Sequence, residues 1–236
     1  MDRRPIGVFD SGLGGLTAVR ELARLMPEED LIYFGDTGRV PYGGRSQDTI
    51  TTYARQDVRF LRSFDPKAIV IACGTVSTIA LDVLRRENDI PVFGVVGPAV
   101  RAAARLAKDG PVGLIGTKAT IRSGAYERAL ARLRSELQVC SEACPLFVPL
   151  VENGRFRPGD PVIETVAAEY LAPMKGAGVD TLILGCTHYP LLRQVIGACM
   201  GPQVSLVDVG EQCAHYVAAR LDRDGLRTDR AEAGSH

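Results

Sequence analysis

Two cysteines each follow an apolar run that reads as a buried strand. Cys73 follows the run AIVIA at 68–72, and Cys186 follows the run LILG at 182–185. A thiol at the start of a helix or beside a histidine can have its pKa lowered from about 8.5 toward 7 or below. Two such thiols facing one substrate can exchange protons with it, one as a thiolate base and the other as a thiol acid. The pattern predicts a pair of acid/base cysteines with lowered pKa values.

Polar residues beside these cysteines extend the candidate site. A single cysteine at a strand end is more often structural than catalytic, but two at matching strand ends favour a shared site. Thr75 and Thr187 follow the two cysteines closely. His188 is placed to poise the thiol of Cys186, unless it is a core or loop histidine. Glu152 follows the apolar run PLFVPL and is expected to reach the same crevice, unless it is a solvated loop acid.

Two glycine-rich segments follow the first two predicted strands. DSGLGGLT at 10–17 departs from the dinucleotide-binding pattern G-x-G-x-x-G, because Thr17 stands where the third glycine belongs. Asp10 and Ser11 either cap the next helix or join its amides in binding a small anion or amine. YFGDTGRVPYGGRS at 33–46 is interpreted as a structured loop that contributes to a site, since loops at strand ends often carry binding residues.

Composition and charge argue against several classes of protein. The chain has 236 residues, of which 46% are hydrophobic and 24% charged, as in ordinary globular proteins. Lys plus Arg and Asp plus Glu both number 28, so no basic excess indicates a nucleic-acid partner. No apolar run approaches the roughly 18 residues of a membrane span, and the N-terminus does not read as a signal peptide. We expect a cytoplasmic protein without disulfides or metal, in which the remaining cysteines are small buried hydrophobic residues: Cys140, Cys144, Cys199 and Cys213.

The chain alternates short apolar runs with helical patterns. Strands are predicted at 5–9, 31–35, 68–72, 91–96, 111–115, 144–148, 179–185 and 203–207. Helices are predicted at 15–26, 47–63, 76–87, 98–108, 118–135, 159–176, 190–199 and 210–221. Short apolar strands separated by helices are typical of parallel sheets covered on both faces. The predicted fold class is therefore α/β.

The two halves of the chain follow the same plan. IGVFDSGLGGLTAVREL begins one half and VGLIGTKATIRSGAYERAL begins the other, and each half contains a strand that ends in a candidate cysteine. We predict an N-terminal α/β domain at 1–96 plus 208–236, with the last helix packing back, and a second α/β domain at 97–207. The two sulfurs then face each other across the cleft between the domains. The polar residues 222–236 are expected to fray.

A series of motifs resembles one known family. VFDSGLGG, YFGDTGRVPYG, CGT, IGTKATIRSGAYERAL, CPLFVPLVENG and LILGCTHYPLL resemble the cofactor-independent aspartate/glutamate racemase superfamily, and within it the glutamate racemases, from residue 6 to about 215. The resemblance implies two similar α/β domains with mainly parallel sheets and an active site in the cleft between them. It implies an isomerase that interconverts L- and D-glutamate without pyridoxal phosphate or metal and supplies D-glutamate for peptidoglycan. It also implies a homodimer.

The resemblance implies a role for each matching residue. Cys73 and Cys186 are implied to be the catalytic acid/base thiols, on opposite faces of the substrate's α-carbon, so that the substrate is inverted without turning. The supporting acid/base residues implied are Asp10, Glu152 and His188. The substrate-binding residues implied are Asp10, Ser11, Pro41, Tyr42, Gly43, Gly74, Thr75, Thr187 and His188.

Gly74 departs from the usual family pattern. The first thiol motif usually reads Cys-Asn-Thr, whereas this chain has Cys73-Gly74-Thr75 and lacks that polar side chain. One lost hydrogen bond to a bare partner costs about 1–3 kcal/mol. We also expect the glycine to enlarge the pocket. Three hypotheses stay open: a glutamate racemase; a racemase of another substrate in the superfamily, such as aspartate or hydantoin; and a binding protein with weakened catalysis.

Overall fold

The computed structural model describes residues 1–236 and contains two four-stranded sheets in which every strand pair is parallel. The first sheet has the order β2-β1-β3-β4, with β1 at Ile6–Asp10, β2 at Leu31–Gly35, β3 at Ala68–Ile71 and β4 at Val92–Gly94. The second has the order β6-β5-β7-β8, with β5 at Val112–Gly116, β6 at Val139–Ala143, β7 at Thr181–Leu184 and β8 at Ser205–Asp208. The predicted α/β fold class is confirmed.

Helices connect the strands of both sheets. Those of the first half are α1 at Leu16–Leu25, α2 at Gln47–Arg62, α3 at Gly74–Ile79 and α4 at Leu81–Glu87. Those that follow are α5 at Val96–Leu106, α6 at Lys118–Ser123, α7 at Ala125–Leu133, α8 at Phe147–Glu152, α9 at Pro161–Gly176, α10 at Arg193–Met200 and α11 at Val209–Arg223. A short 3-10 helix at Tyr189–Leu192 precedes α10. No helix combines the length and the apolar character that crossing a membrane requires.

The identical strand order of the two sheets supports the predicted duplication. β3 and β7 occupy the same position, each hydrogen-bonded to the first strand of its own sheet, β1 or β5. Carboxyl ends of parallel strands meet at one edge of a sheet, where open α/β folds bind ligands. Cys73 and Cys186 follow the equivalent strands β3 and β7, so each half places its cysteine at the same point of the fold.

The strand predicted at 144–148 is wrong, because this segment leads into helix α8 at Phe147–Glu152. Its apolar side chains Phe147 and Val151 are buried one helical turn apart. The true strand, β6 at Val139–Ala143, lies at the edge of its sheet, and all five of its residues are only half-buried. An edge strand of this kind carries no continuous apolar run, so the neighbouring run in the helix was the stronger signal.

The largest apolar core includes residues from both halves of the chain. Leu22 of α1, Val100 of α5 and Val217 of α11 belong to one buried cluster, which also takes in residues of β1 and β5. Helix α11 therefore packs against helices of both halves. The cleft at the carboxyl ends of the strands lies outside this cluster. Its lining consists mostly of small and polar residues.

The polar tail at 222–236 does not fray as expected, because it lies along the edge of the first sheet. The Leu31 amide at the start of β2 donates a hydrogen bond of 2.8 Å to the Ser235 carbonyl. Arg227 pairs with Glu28, and Arg230 pairs with Asp30. The tail's basic residues match the acidic run just before β2, so its charges hold it in place.

Candidate active site

Cys73 forms the N-cap of the short helix α3 at the end of β3. It is 4% exposed, and its thiol donates a hydrogen bond to the Ser11 hydroxyl at 3.3 Å. Ser11 follows β1, which pairs with β3, so the sheet brings the two side chains together. A helix start beside a small hydroxyl is therefore the immediate setting of the first thiol.

Cys186 has a different set of neighbours. It is 6% exposed, and its sulfur lies 3.8 Å from Nδ1 of His188. The other ring nitrogen of His188, Nε2, lies 3.1 Å from the Glu152 carboxylate. Glu152 thereby fixes the orientation of the imidazole that faces the second thiol. The structure places these three predicted residues in one chain of contacts.

A small cavity of about 30 Å³ is lined by both thiols. Its walls come from both halves of the chain: Ser11, Val40, Pro41, Tyr42, Gly43, Cys73, Gly74, Thr75, Thr117, Val148, Cys186, Thr187 and His188. Every predicted substrate-binding residue except Asp10 is present in this set. The sequence therefore identified most of the residues that meet at this cavity, while their roles stay predictions.

The expectation of lowered thiol pKa values is wrong for this arrangement. Burial, together with the nearby carboxylate of Asp10, raises the pKa of Cys73 to about 11. Burial also raises the pKa of Cys186, and a hydrogen bond from the His188 backbone offsets only part of that effect. The rise in pKa that comes from removing water around the sulfurs is larger than the lowering expected from the helix start and the histidine. Both thiols are therefore protonated at neutral pH, and a neighbouring base must accept a proton before either becomes a thiolate.

Asp10 lies beneath the cavity instead of lining it. Its carboxylate accepts hydrogen bonds from the amides of Gly12 at 3.2 Å and Gly15 at 2.9 Å. Its other oxygen accepts one from the Thr187 hydroxyl of the second half at 3.3 Å. Complete burial raises the pKa of Asp10, and His188 opposes this shift. Asp10 thus organises the glycine-rich turn and connects the two halves, but it does not cap α1, whose N-cap is Gly15 without a side-chain hydrogen bond.

The loop that carries Pro41, Tyr42 and Gly43 is anchored by buried polar groups. The Tyr42 hydroxyl donates to Asp36 and Asp57, and the Asp57 bond is 2.9 Å long. Arg39 forms ion pairs with both carboxylates. Burial raises the pKa of Asp57 to about 6. The Tyr42 hydroxyl is therefore committed to this cluster, which the sequence analysis did not identify.

Thr117 is a cavity residue that the sequence analysis missed. It caps helix α6 directly after β5, and its hydroxyl lies 3.0 Å from the Thr75 hydroxyl of the other half. The available signal was the duplication itself, because β5 in the second half corresponds to β1 in the first, which ends at Asp10 and is followed by Ser11. Polar residues after the first strand of each half therefore approach the same site.

Glu152 ends helix α8, whereas the sequence analysis placed it after a strand. It lines a second cavity of about 410 Å³ that shares Pro41, Gly43, Thr117 and Val148 with the small one. This outer cavity is large enough for an amino acid and adjoins the thiol cavity.

Of the cysteines expected to be buried, Cys144 and Cys213 are buried, but Cys140 and Cys199 are half-exposed.

Gly74 does not enlarge the pocket as expected. A β-carbon built on Gly74 would lie 2.3 Å from the carbonyl oxygen of Gly185, which occupies the space that a side chain would need. The backbone of the second half therefore fills the volume that the glycine leaves free.

A cavity of about 430 Å³ elsewhere in the protein contains none of the predicted site residues. Arginines dominate its polar lining: Arg85, Arg101, Arg128 and Arg132. Size alone is therefore a poor guide to the reactive centre here, because the two thiols and their proton-transferring neighbours surround a much smaller space.

Comparison with known proteins agrees with this arrangement. The family model described as Asp/Glu/Hydantoin racemase matches residues 11–217, nearly the whole chain. This chain belongs to the Asp/Glu/Hydantoin racemase family. A glutamate racemase from Geobacter metallireducens is 48% identical over 236 residues, which are 100% of this chain and 87% of that relative.

Solved structures of racemases share the fold. A glutamate racemase isoform from Bacillus anthracis gives a TM-score of 0.95 at 39% identity, covering 100% of this chain and 88% of that one. A glutamate racemase from Francisella tularensis in complex with D-glutamate gives 0.92 at 39% identity, covering 100% and 87%. The predicted resemblance to the racemase superfamily and its two-sheet α/β fold is thereby confirmed.

Proposed function

We propose that this protein is a glutamate racemase that interconverts L- and D-glutamate through two cysteine thiols. One observation carries the mechanism: Cys73 and Cys186, at equivalent strand ends of two similar sheets, line the same cavity. The choice of glutamate is supported by the similarity to curated glutamate racemases at 45–48% identity over nearly the full chain.

The proposed reaction is a proton exchange that leaves the total number of protons on the protein unchanged. One thiolate removes the α-proton, so the C–H bond breaks and an S–H bond forms. The opposite thiol then donates its proton to the other face of the carbanion, which breaks one S–H bond and forms the new C–H bond. The two cysteines exchange protonation states, and proton transfer through the neighbouring groups and solvent restores them before the next turnover in the same direction.

Nearby groups are proposed to prepare each thiol, because burial keeps both sulfurs protonated. His188, held by Glu152, is placed to take the proton of Cys186. Asp10 is the carboxylate near Cys73, and its raised pKa makes it a better proton acceptor than an exposed aspartate. Separate bases for the two thiols suit a reaction that runs in both directions.

Hydroxyl groups are proposed to bind the substrate carboxylates. The cavity presents the side chains of Thr75, Thr117 and Thr187, and the Pro41–Gly43 segment adds backbone groups from the anchored loop. Donors fixed before the reaction stabilise charge as it develops on the substrate, without the cost of reorganising water. No pyridoxal phosphate or metal enters this scheme.

The cellular setting is also part of the proposal. We place the protein in the cytoplasm as a homodimer that supplies D-glutamate for peptidoglycan and cell-wall formation. We further propose that 1–96 plus 208–236 and 97–207 are its two domains, which is supported by their separate sheets and by helix α11 packing against α1.

The test is circular dichroism of L-glutamate and, separately, of D-glutamate with the purified reduced protein. Loss of optical activity from both starting points is expected. A faster loss with aspartate or with a hydantoin would favour another member of the family, which the absence of a side chain at Gly74 makes worth testing. Binding of glutamate without any loss of optical activity would contradict the proposal and favour the binding-protein hypothesis.

A further inference from the structure

The loop from Pro41 to Gly43 lies where the outer cavity meets the thiol cavity. Pro41 and Gly43 line both cavities, so the backbone between them forms part of the passage from one to the other. The Tyr42 side chain is buried, and its hydroxyl reaches a polar cluster inside the first half of the chain. The position of this wall therefore depends on what the Tyr42 hydroxyl contacts.

Two carboxylates and one guanidinium form the cluster. The Tyr42 hydroxyl contacts Asp36 and lies 2.9 Å from the Asp57 carboxylate. Arg39 pairs with Asp36 at 2.6 Å and with Asp57 at 2.5 Å. Asp36 and Arg39 belong to the same loop as Tyr42, whereas Asp57 is a buried residue of helix α2. Asp57 thus connects the loop to a rigid element that lies outside both cavities.

The backbone that the cluster holds has free hydrogen-bond donors. The amides of Tyr42 and Gly43 donate to no carbonyl of the protein, although both residues line the thiol cavity. The Gly43 carbonyl accepts a hydrogen bond of 3.0 Å from the Ala119 amide of the second half. The segment is therefore held from both sides, and its unpaired amides are fixed donors for a carboxylate.

We propose that Asp57 is a positioning residue for the substrate, because its contact with Tyr42 holds the Tyr42 and Gly43 amides where they bind the side-chain carboxylate. This inference rests on the proposed glutamate racemase function. The α-carbon of the substrate lies between the sulfurs, so its side chain extends toward the passage. The side-chain carboxylate keeps its charge during proton transfer, and a contact with it stabilises bound substrate and transition state equally. Asp57 therefore acts on substrate affinity and not on proton transfer.

The first test removes the hydroxyl that transmits this effect. Tyr42→Phe should raise KM for glutamate about tenfold and leave kcat within about threefold, because the ring stays buried while the link to Asp57 is lost. Tyr53→Phe is the matched control, since its ring centre lies 5.5 Å from that of Tyr42 but its hydroxyl takes no part in the hydrogen bonds of the cluster. It should leave both constants unchanged. A fall in kcat with KM unchanged, or the same rise in KM for Tyr53→Phe, would overturn the proposal.

Variants of Asp57 test whether it acts through Tyr42. Asp57→Ala should raise KM at least about tenfold, and Asp57→Asn should raise it less, because the amide oxygen still accepts a hydrogen bond from Arg39. Asp82→Ala removes a helical carboxylate that is 85% exposed, and it should match wild type. Tyr42→Phe combined with Asp57→Ala should raise KM by much less than the product of the single effects, since both break the same contact. Effects that multiply would overturn the proposal.

Hydrogen exchange reports on the loop without any substrate. The amides of Asp36, Arg39 and Arg45 donate backbone hydrogen bonds of 3.0, 3.1 and 2.9 Å, so their exchange depends on the order of the loop. Mass spectrometry of peptides that cover 35–46 should show exchange at least about fivefold faster in Asp57→Ala than in wild type.

Tyr42→Phe gives the same readout if Asp57→Ala does not fold. Exchange at the wild-type rate in the folded variants would overturn the proposal. If wild type does not racemise glutamate, the proposed function fails, while the exchange rates still decide whether Asp57 holds the loop.

Discussion

The two halves of the molecule place their thiols alike but surround them differently. Both sheets have the same strand order, and each cysteine follows the strand beside the first one. Cys73 contacts the Ser11 hydroxyl and lies near the buried Asp10 carboxylate. Cys186 faces the imidazole of His188, which is held by Glu152. The duplicated fold fixes where the sulfurs are, while unrelated side chains decide how each gains and loses its proton.

This difference has a kinetic consequence. L- and D-glutamate are mirror images with equal free energies, so kcat/KM for conversion must be equal in the two directions for wild type and for every variant. Unequal thiol environments cannot show there. They appear instead in variants in which one thiol is impaired, because the other thiol can then still exchange the α-proton on its own face of the substrate with solvent.

The largest effect is expected from removing either thiol. Cys73→Ala and Cys186→Ala should each lower kcat/KM for racemisation by about 10³-fold or more, since an acid/base group is lost from a two-base reaction. Cys199→Ala, which removes a half-exposed thiol outside the cavity, is the matched control and should retain activity. Optical rotation of glutamate measures all three. Substantial activity in either cavity variant would show that the thiols do not act as a pair.

Variants that remove the supporting groups should distinguish the two thiol environments. His188→Asn and Asp10→Asn are each expected to lower racemisation by about 10²-fold, because a protonated buried thiol then lacks its nearest base. Proton NMR in D₂O should show His188→Asn slowing exchange mainly for one enantiomer and Asp10→Asn mainly for the other. Thermal unfolding of both variants controls for loss of the fold. Equal slowing of both enantiomers would remove the proposed distinction.

The raised thiol pKa values predict slow alkylation of the folded protein. With the pKa of Cys73 at about 11 against an ordinary value of 9.0, its thiolate fraction at pH 8 is about 100-fold below that of an unfolded chain. Because iodoacetamide reacts with the thiolate, the rate at Cys73 should rise about tenfold per pH unit up to about pH 10. The rate should level off above the pKa. Rapid alkylation of the native protein at pH 7 would contradict the burial argument.

The smallest effect is expected at Ser11, whose hydroxyl accepts a single hydrogen bond from Cys73. One such bond contributes about 1 kcal/mol, so Ser11→Ala should lower kcat/KM by roughly fivefold. Ser63→Ala removes an exposed hydroxyl that bonds only the Phe60 carbonyl, and it should have no effect on rate. Steady-state kinetics distinguish the two. A loss as large as that of Asp10→Asn would assign Ser11 a direct part in proton transfer.

The sequence was sufficient to predict those strands and site residues that follow from a local pattern of apolar residues. Buried central strands such as β3 and β7 are continuous apolar runs, and their ends located both cysteines. The edge strand β6 was missed because its half-buried residues have no such run. The tail at 222–236 was misjudged because its order depends on charges brought together only by the fold.

The chemical environment of the site was harder to predict than the identity of the residues that form it. The raised pKa values of the thiols arise from burial between two halves, and no spacing in the sequence measures that burial. The contact between Gly74 and the Gly185 carbonyl likewise joins residues from different sheets. Thr117 was within reach, because the repeat points to the end of β5 as it does to the end of β1.

The most direct test of the two-thiol account is an early time course of L-glutamate in D₂O under reducing conditions. If opposite thiols act as base and acid, the D-glutamate formed carries deuterium at Cα while the remaining L-glutamate still carries its original proton. Proton NMR with separation of the enantiomers measures both. Deuterium appearing in recovered L-glutamate as fast as in the D-glutamate product would show a single base acting on both faces, and would contradict the account.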